Sequence, residues 1–302
     1  MNAQCTLTDR LLPAIVLMLV FIAMPLHAAD AGIEVESLMK IDPSAPILDT
    51  AAGGDGKLIF VLTPGEVIVY TGADGKEIDR IPVGQAVTRL TALKDGRLIL
   101  FGNAPPTLDI LKVDRIYEID TAGRAFKGGE DARIILAVFD DYQCPYCSRL
   151  ESRLDQLVQD YGDQVKLVIK HFPIPSHRFA YRAAMAALAA GNQEKFWEFH
   201  AALFENFNAL DDKKIQEIAE SLSLDRERFE KDRNAPESRA IIIQDMQEGQ
   251  RIGVRGTPTI FLNGKKVDNR DISRLPEMID TLLEKQASGS KAPAQHAEKE
   301  AP

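Results

Sequence analysis

A chain of 302 residues can build two cores, and 45% hydrophobic with 27% charged residues is the balance of a soluble globular protein. A formal net charge of −9, with the acids dispersed, excludes the basic face that nucleic acid requires and reads as a solubility feature.

Residues 1–29 read as a signal peptide: Arg10, an apolar run over 11–26, then His27-Ala28-Ala29 before a polar chain. The run is shorter than the ~20 residues a spanning helix needs and is broken by Pro13 and Pro25. Cleavage after Ala28 or Ala29 is expected, with an uncleaved anchor as the alternative. The expected location is periplasmic or otherwise extracytoplasmic, an oxidising setting in which cysteine pairs turn over as disulfides.

Residues 31–126 read as an all-β domain. The β-rich runs 57–62, 66–70, 97–101, 110–113 and 115–119 are separated by Asp55-Gly56, Pro64-Gly65, Asp74-Gly75, Asp95-Gly96 and Ala122-Gly123, all turn signals. Asp55-Gly56-Lys57-Leu58-Ile59 recurs about 40 residues on as Asp95-Gly96-Arg97-Leu98-Ile99, the period of one propeller blade. Two blades cannot close a propeller. Blade-like repeats, a two-sheet sandwich and a β unit completed by a second protomer all remain open.

From residue 132 strands and helices alternate. A strand is expected over 133–139, a helix over 148–161 with Leu150, Leu154, Leu157 and Val158 on one face, and a strand over 165–171. An alanine-rich helix over 178–190 ends at Gly191, and helices follow over 194–204, 213–221 and 235–252. Phe196, Trp197, Phe199 and Phe204 read as helix-face core, and Arg226, Glu227, Arg228, Glu230 and Lys231 as a solvated helical face. A strand over 259–262, the hairpin turn Asn263-Gly264, a return strand from Lys266-Val267 and a helix over 272–285 complete the pattern. Residues 286–302 are rich in Ala, Ser, Lys, Glu and Pro and read as a disordered tail.

The chain has three cysteines, of which Cys5 lies in the signal segment, leaving Cys144-Pro145-Tyr146-Cys147 as the pair of the mature protein. A disulfide this close in sequence closes too small a loop to add much stability, so the pair points to redox chemistry or metal binding. His171, His177 and His200 lack the spacing of a metal set with the cysteines, so no metal and no cofactor are expected.

Asp141-Tyr142-Gln143-Cys144-Pro145-Tyr146-Cys147 resembles the active-site segment of the DsbA-like branch of the thioredoxin superfamily. Lys170-His171-Phe172-Pro173, Ala184, Ala187 and Ala189 of the alanine-rich helix, and Lys195-Phe196-Trp197-Glu198-Phe199-His200 resemble its helical insertion. Gly253-Val254-Arg255-Gly256-Thr257-Pro258-Thr259 resembles its cis-proline loop. The resemblance spans 132–285. It implies an α/β thioredoxin fold with a helical insertion, preceded by the all-β domain.

The resemblance also implies the site. Cys144 sits at a helix amino terminus, where free amides and the helix dipole favour a thiolate, and is the expected nucleophile. Cys147, one turn inside, is the expected resolving thiol. Pro145 fits the first helical turn, where its missing N–H is no loss. Pro145, Tyr146, Thr257 and Pro258 are the expected client-binding residues. Many relatives carry a buried acid six residues before the first cysteine, and here that position is Val138, which leaves the proton route open; the role is not transferred to Asp140 or Asp141.

The expected function is exported thiol–disulfide exchange with cysteine-containing client proteins, in the oxidase direction, with a membrane redox partner to reset the pair. The alternatives are an isomerase or reductase of the DsbG or DsbC kind, and a β-repeat binding protein that uses the second domain as scaffold. By analogy with DsbG and DsbC, the β domain is expected either to mediate self-association, as in a homodimer, or to hold client proteins.

Overall fold

The computed structural model describes residues 35–289 except Asp55. The signal segment and the tail from residue 290 lie outside the described residues. The chain forms two compact units, one of residues up to Asp95 with Ile99–Ile110, the other of Gly96–Leu98 with Leu111 onward.

In the first unit, β1 (Asp49–Ala52), β2 (Leu58–Thr63), β3 (Glu66–Thr71) and β4 (Glu77–Pro82) form an antiparallel meander in chain order. Pro64-Gly65 makes the two-residue turn between β2 and β3, and Gly65 takes φ 84°, a conformation that disfavours any side chain. Leu62, Val67 and Ile68 are fully buried, so the two central strands carry nearly continuous apolar runs. Strands β5 (Val87–Ala92), β6 (Arg97–Asn103) and β7 (Pro106–Lys112) form a second sheet, also in chain order. Asp49 on β1 accepts a hydrogen bond from the Leu90 N–H on β5 at 2.9 Å.

The second sheet repeats the first but stops after three strands. Residues 115–119, read as a strand of the β domain, instead lie against the second unit. Ile116 makes one bridge with Lys265, and the Tyr117 N–H donates to the Gly264 carbonyl at 2.9 Å. Tyr117 and Ile119 pack on the apolar cluster of Ala137, Phe139, Ile252, Val254 and Phe261, with the Tyr117 ring edge-on to Phe261 at 5.9 Å.

The second unit is a five-stranded sheet in the order β12-β11-β9-β10-β8. Its strands are β8 (Phe126–Gly128), β9 (Ile134–Asp140), β10 (Val165–His171), β11 (Thr259–Leu262) and β12 (Lys265–Lys266). Strands β9 and β10 are parallel and joined through helix α1 (Pro145–Tyr161); β8, β11 and β12 run antiparallel to their neighbours. Helices α2 (Ala180–Gly191), α3 (Phe196–Glu205), α4 (Asp212–Ser221) and α5 (Arg226–Asp232) are the insertion. Helix α6 (Pro236–Arg251) returns the chain to the sheet, and α7 (Leu275–Gly289) closes the unit, four residues further than the sequence pattern predicts.

The buried alanines Ala183, Ala184, Ala186, Ala187, Ala189 and Ala190 let α2 approach its neighbours closely. Buried charge ties α6 to the sheet. Lys170 Nζ lies 2.6 Å from Asp245 and 3.0 Å from Glu248 and donates to the Asp120 carbonyl at 2.7 Å, while Arg124 Nε donates to Asp245 at 2.9 Å.

Candidate active site

The site grows out of the end of β9. Asp141, buried, accepts hydrogen bonds from the N–H groups of Gln143 and Ile174, each at 2.7 Å, and its carbonyl accepts from the Cys144 N–H at 3.0 Å. Nδ1 of His177 lies at ion-pair distance from the same carboxylate, 2.9 Å. This side-chain turn aims the chain into α1 with Cys144 as the helix cap and Pro145 as its first residue. No side chain caps the helix, so its first amides face the Cys144 sulfur.

Electrostatics splits the two thiols. The hydrogen bond from Cys147 draws Cys144 from 9.0 to about 5, helped by the amides of Cys147 and Tyr146, against the opposing pull of burial. Burial pushes Cys147 far up, and its hydrogen bond to Cys144 and the charge of Asp140 add to this. Both are free thiols. At neutral pH one sulfur is therefore a thiolate and the other a proton carrier beside it.

The Thr257–Pro258 peptide is cis, and Cys144 Sγ lies 3.3 Å from the Thr257 carbonyl. Thr259 Oγ1 donates to the Gly256 carbonyl at 2.7 Å and ties down the loop. Tyr146, largely exposed, faces Thr257 and Pro258 across a groove of about 540 Å³. The fold thus gathers the sequence-identified residues: Cys144, Cys147, Pro145 and Tyr146 at the start of α1, and Thr257 and Pro258 opposite.

Further groups lie behind the cysteines. Val138 is buried and apolar, but Asp140 lies two residues on along the same face of β9, so it extends that row toward the cysteines. Asp140 is 3% exposed, and its Oδ1 has no hydrogen-bond partner. Burial raises it well above the usual carboxylate range, with Glu151, Asp141, Asp245 and Cys144 adding repulsion. Beside it, the Tyr142 hydroxyl meets His200 Nδ1 at 2.8 Å, and His200 Nε2 meets Glu151 at 2.9 Å. Rings of Phe196, Trp197 and Phe204 enclose the imidazole. Burial pushes Glu151 up, but the hydrogen bond and attraction of His200 prevail, and the net shift is downward. Burial draws His171 down to about 4, so it is neutral at physiological pH.

The signal for Asp140 in the sequence is strand parity. No local signal joins Tyr142, Glu151 and His200, which only the fold brings together. Among the described residues, no group of three or more His, Cys, Asp or Glu is arranged to hold a metal ion. Nor is any helix among them long and apolar enough to cross a membrane.

The family model described as Thioredoxin matches residues 120–281, more than half of the chain, and the chain belongs to that family. The Na(+)/H(+) antiporter NhaA 1 of Mycolicibacterium vanbaalenii is 32% identical over 164 residues, 53% of this chain and 26% of the antiporter. The chain therefore spans about a quarter of the length of the curated relatives it matches. Among solved structures, a thioredoxin-like oxidoreductase from Silicibacter pomeroyi is 30% identical, covers 54% of this chain and 94% of its own, and superposes with a TM-score of 0.47. Wolbachia pipientis alpha-DsbA1 is 20% identical, covers 57% of this chain and 97% of its own, and shares the fold with a TM-score of 0.50.

Proposed function

We propose that the protein is an exported thiol–disulfide oxidoreductase that donates disulfides to cysteine-containing client proteins through Cys144 and Cys147. The observation that carries this reading is the split pair: Cys144 drawn to about 5, Cys147 held protonated by burial. A client thiolate attacks Cys144 Sγ of the oxidised pair. The Cys144–Cys147 bond breaks, its electron pair goes to the Cys147 sulfur, and Cys147 takes up a proton. Asp140 is the nearby buried acid suited to supply that proton. A second client thiolate attacks the client sulfur of the mixed disulfide, and Cys144 leaves as a thiolate that needs no proton. The client is oxidised and the protein reduced. A low-pKa leaving group departs faster, and stabilising the thiolate stabilises the reduced form, so the pair is a strong oxidant.

In this reading Thr257 and Pro258 hold the client strand, with Pro145 and Tyr146 flanking it. A membrane redox partner removes the electrons, and no cofactor takes part. The signal peptide directs the chain to the periplasm or another extracytoplasmic space. The β unit is an accessory for self-association, supported by the exposed Leu108 and Ile110 on β7; a monomer at micromolar concentration counts against that part.

The test is the reduction potential of the pair in glutathione buffers. A value near about −120 mV supports donation, and one at or below about −200 mV assigns a reductase or isomerase instead. Unchanged disulfide exchange in Cys144→Ser sinks the reading altogether.

A further inference from the structure

The groove beside Cys144 has a charge that the chain as a whole does not. It is flanked by Tyr146, Arg149, Arg153, Thr257, Pro258 and Ile272. Arg149 and Arg153 are exposed and one turn apart on the same face of α1. Neither has a carboxylate partner among the described residues. The acids of α1 are engaged elsewhere: Glu151 with His200, Asp155 with Lys127, and Asp160 with Gln156. The Arg149 guanidinium lies 4.7 Å over the Tyr146 ring, which holds it at the groove's edge. In a chain of net charge −9, two arginines without carboxylate partners among the described residues make the α1 bank of the groove locally cationic.

We propose that this groove recognises an extended client segment bearing two carboxylates, two and four residues from its cysteine. The proposal rests on the oxidoreductase reading for the client's cysteine, and the groove names the client's class. The spacing follows from element geometry. Arg149 and Arg153 lie about 7.5 Å and 13.5 Å along α1 from Cys144, at about 1.5 Å per residue. An extended chain advances about 3.3 Å per residue, so those heights fall two and four residues from the reacting cysteine. Alternate residues of an extended chain share a face and repeat about every 6.6 Å, close to the about 6 Å rise between the two arginines. Leu150, Ile272 and Pro258 supply an apolar floor suited to a peptide.

The experiment uses the full chain carrying Cys144→Ser and Cys147→Ser, with fluorescent peptides read by anisotropy. One peptide has glutamates two and four residues from a serine in place of the cysteine. The second has glutamines there, and the third has the glutamates moved six and eight residues away. The first is expected to bind about fivefold to tenfold tighter than the other two, the gain of two exposed ion pairs. That advantage shrinks with added salt. Arg149→Glu with Arg153→Glu should reverse the preference toward a peptide with lysines at the two positions, an outcome that a misfolded variant cannot produce. Equal affinity for the first two peptides, or for the first and third, overturns the proposal. Exchange kinetics of the intact chain with the cysteine-containing peptides separate the two claims. Charge-selective binding without exchange refutes the oxidoreductase reading and leaves the groove standing. Exchange at rates indifferent to charge refutes the groove alone.

Discussion

Replacing Cys147 with alanine removes the largest influence on Cys144, the hydrogen bond from the neighbouring thiol. A hydrogen bond to a charged group contributes about 1.5–3 kcal/mol, and about 1.4 kcal/mol is one pKa unit, so Cys144 should rise by roughly one to two units. From about 5 that carries its titration to roughly 6–7. At pH 7 the thiolate fraction falls from near completion to between about half and nine-tenths. Cys147→Ser retains a donor at the same position and should move Cys144 by less than the alanine does. The measurement is the pH dependence of thiolate absorbance near 240 nm, paired with the rate of alkylation by iodoacetamide. An inflection in Cys147→Ala that stays near 5 would refute the reasoning, because the helix amides would then suffice. An equal rise in the serine and alanine variants would show that loss of packing, and not of a donor, is responsible.

Three further outcomes follow from the buried polar groups. Asp140 titrates above its unfolded value, so its ionisation penalty is absent at a pH below about 3.8 and grows as pH rises from there to the folded value. Asp140→Asn should therefore raise the melting temperature by a margin larger at pH 8 than at pH 4, while slowing formation of the mixed disulfide; a variant less stable at pH 8 argues against this. His200→Leu strips partners from both Tyr142 and Glu151 and should cost about 3 kcal/mol in urea unfolding, read through Trp197 fluorescence, whereas Tyr142→Phe should cost about 1 kcal/mol. Asp245→Ala leaves Lys170 and Arg124 without their shared carboxylate and the His171 N–H without its acceptor, and should cost about 3–5 kcal/mol in the same assay. Loss of less than about 1 kcal/mol would mean that water or Glu248 replaces it.

Much of the second unit was legible because its signals are local. Strands β10 and β11 fall where the apolar runs 165–171 and 259–262 predict them, and the Asn263-Gly264 turn has both residues at positive φ. The cysteine pair, the helix that begins between its members and the loop of Thr257 and Pro258 were likewise visible as short motifs. The first unit was legible in part. Strand β4 reads Glu-Ile-Asp-Arg-Ile-Pro and is mostly exposed, so its own composition is not that of a strand; pairing with β3, as of Ile81 with Val67, makes it one. Residues 115–119 have strand composition but no strand partner in their own repeat. Whether such a run pairs is decided by what lies beside it, and Gly264 and Phe261 are far away in sequence.

What the sequence by itself determined, then, is the cysteine pair and its candidate neighbours and most of the elements that carry them, since periodicity, caps and turn residues act over a few positions. Only the tertiary structure decided how those groups behave. The depressed pKa of Cys144 needs the Cys147 thiol turned toward it by the helix, the raised pKa of Asp140 needs burial among other acids, and the Tyr142–His200–Glu151 chain needs α1 and α3 packed together. Desolvation and charge proximity depend on distance in space, and distance along the chain does not report it.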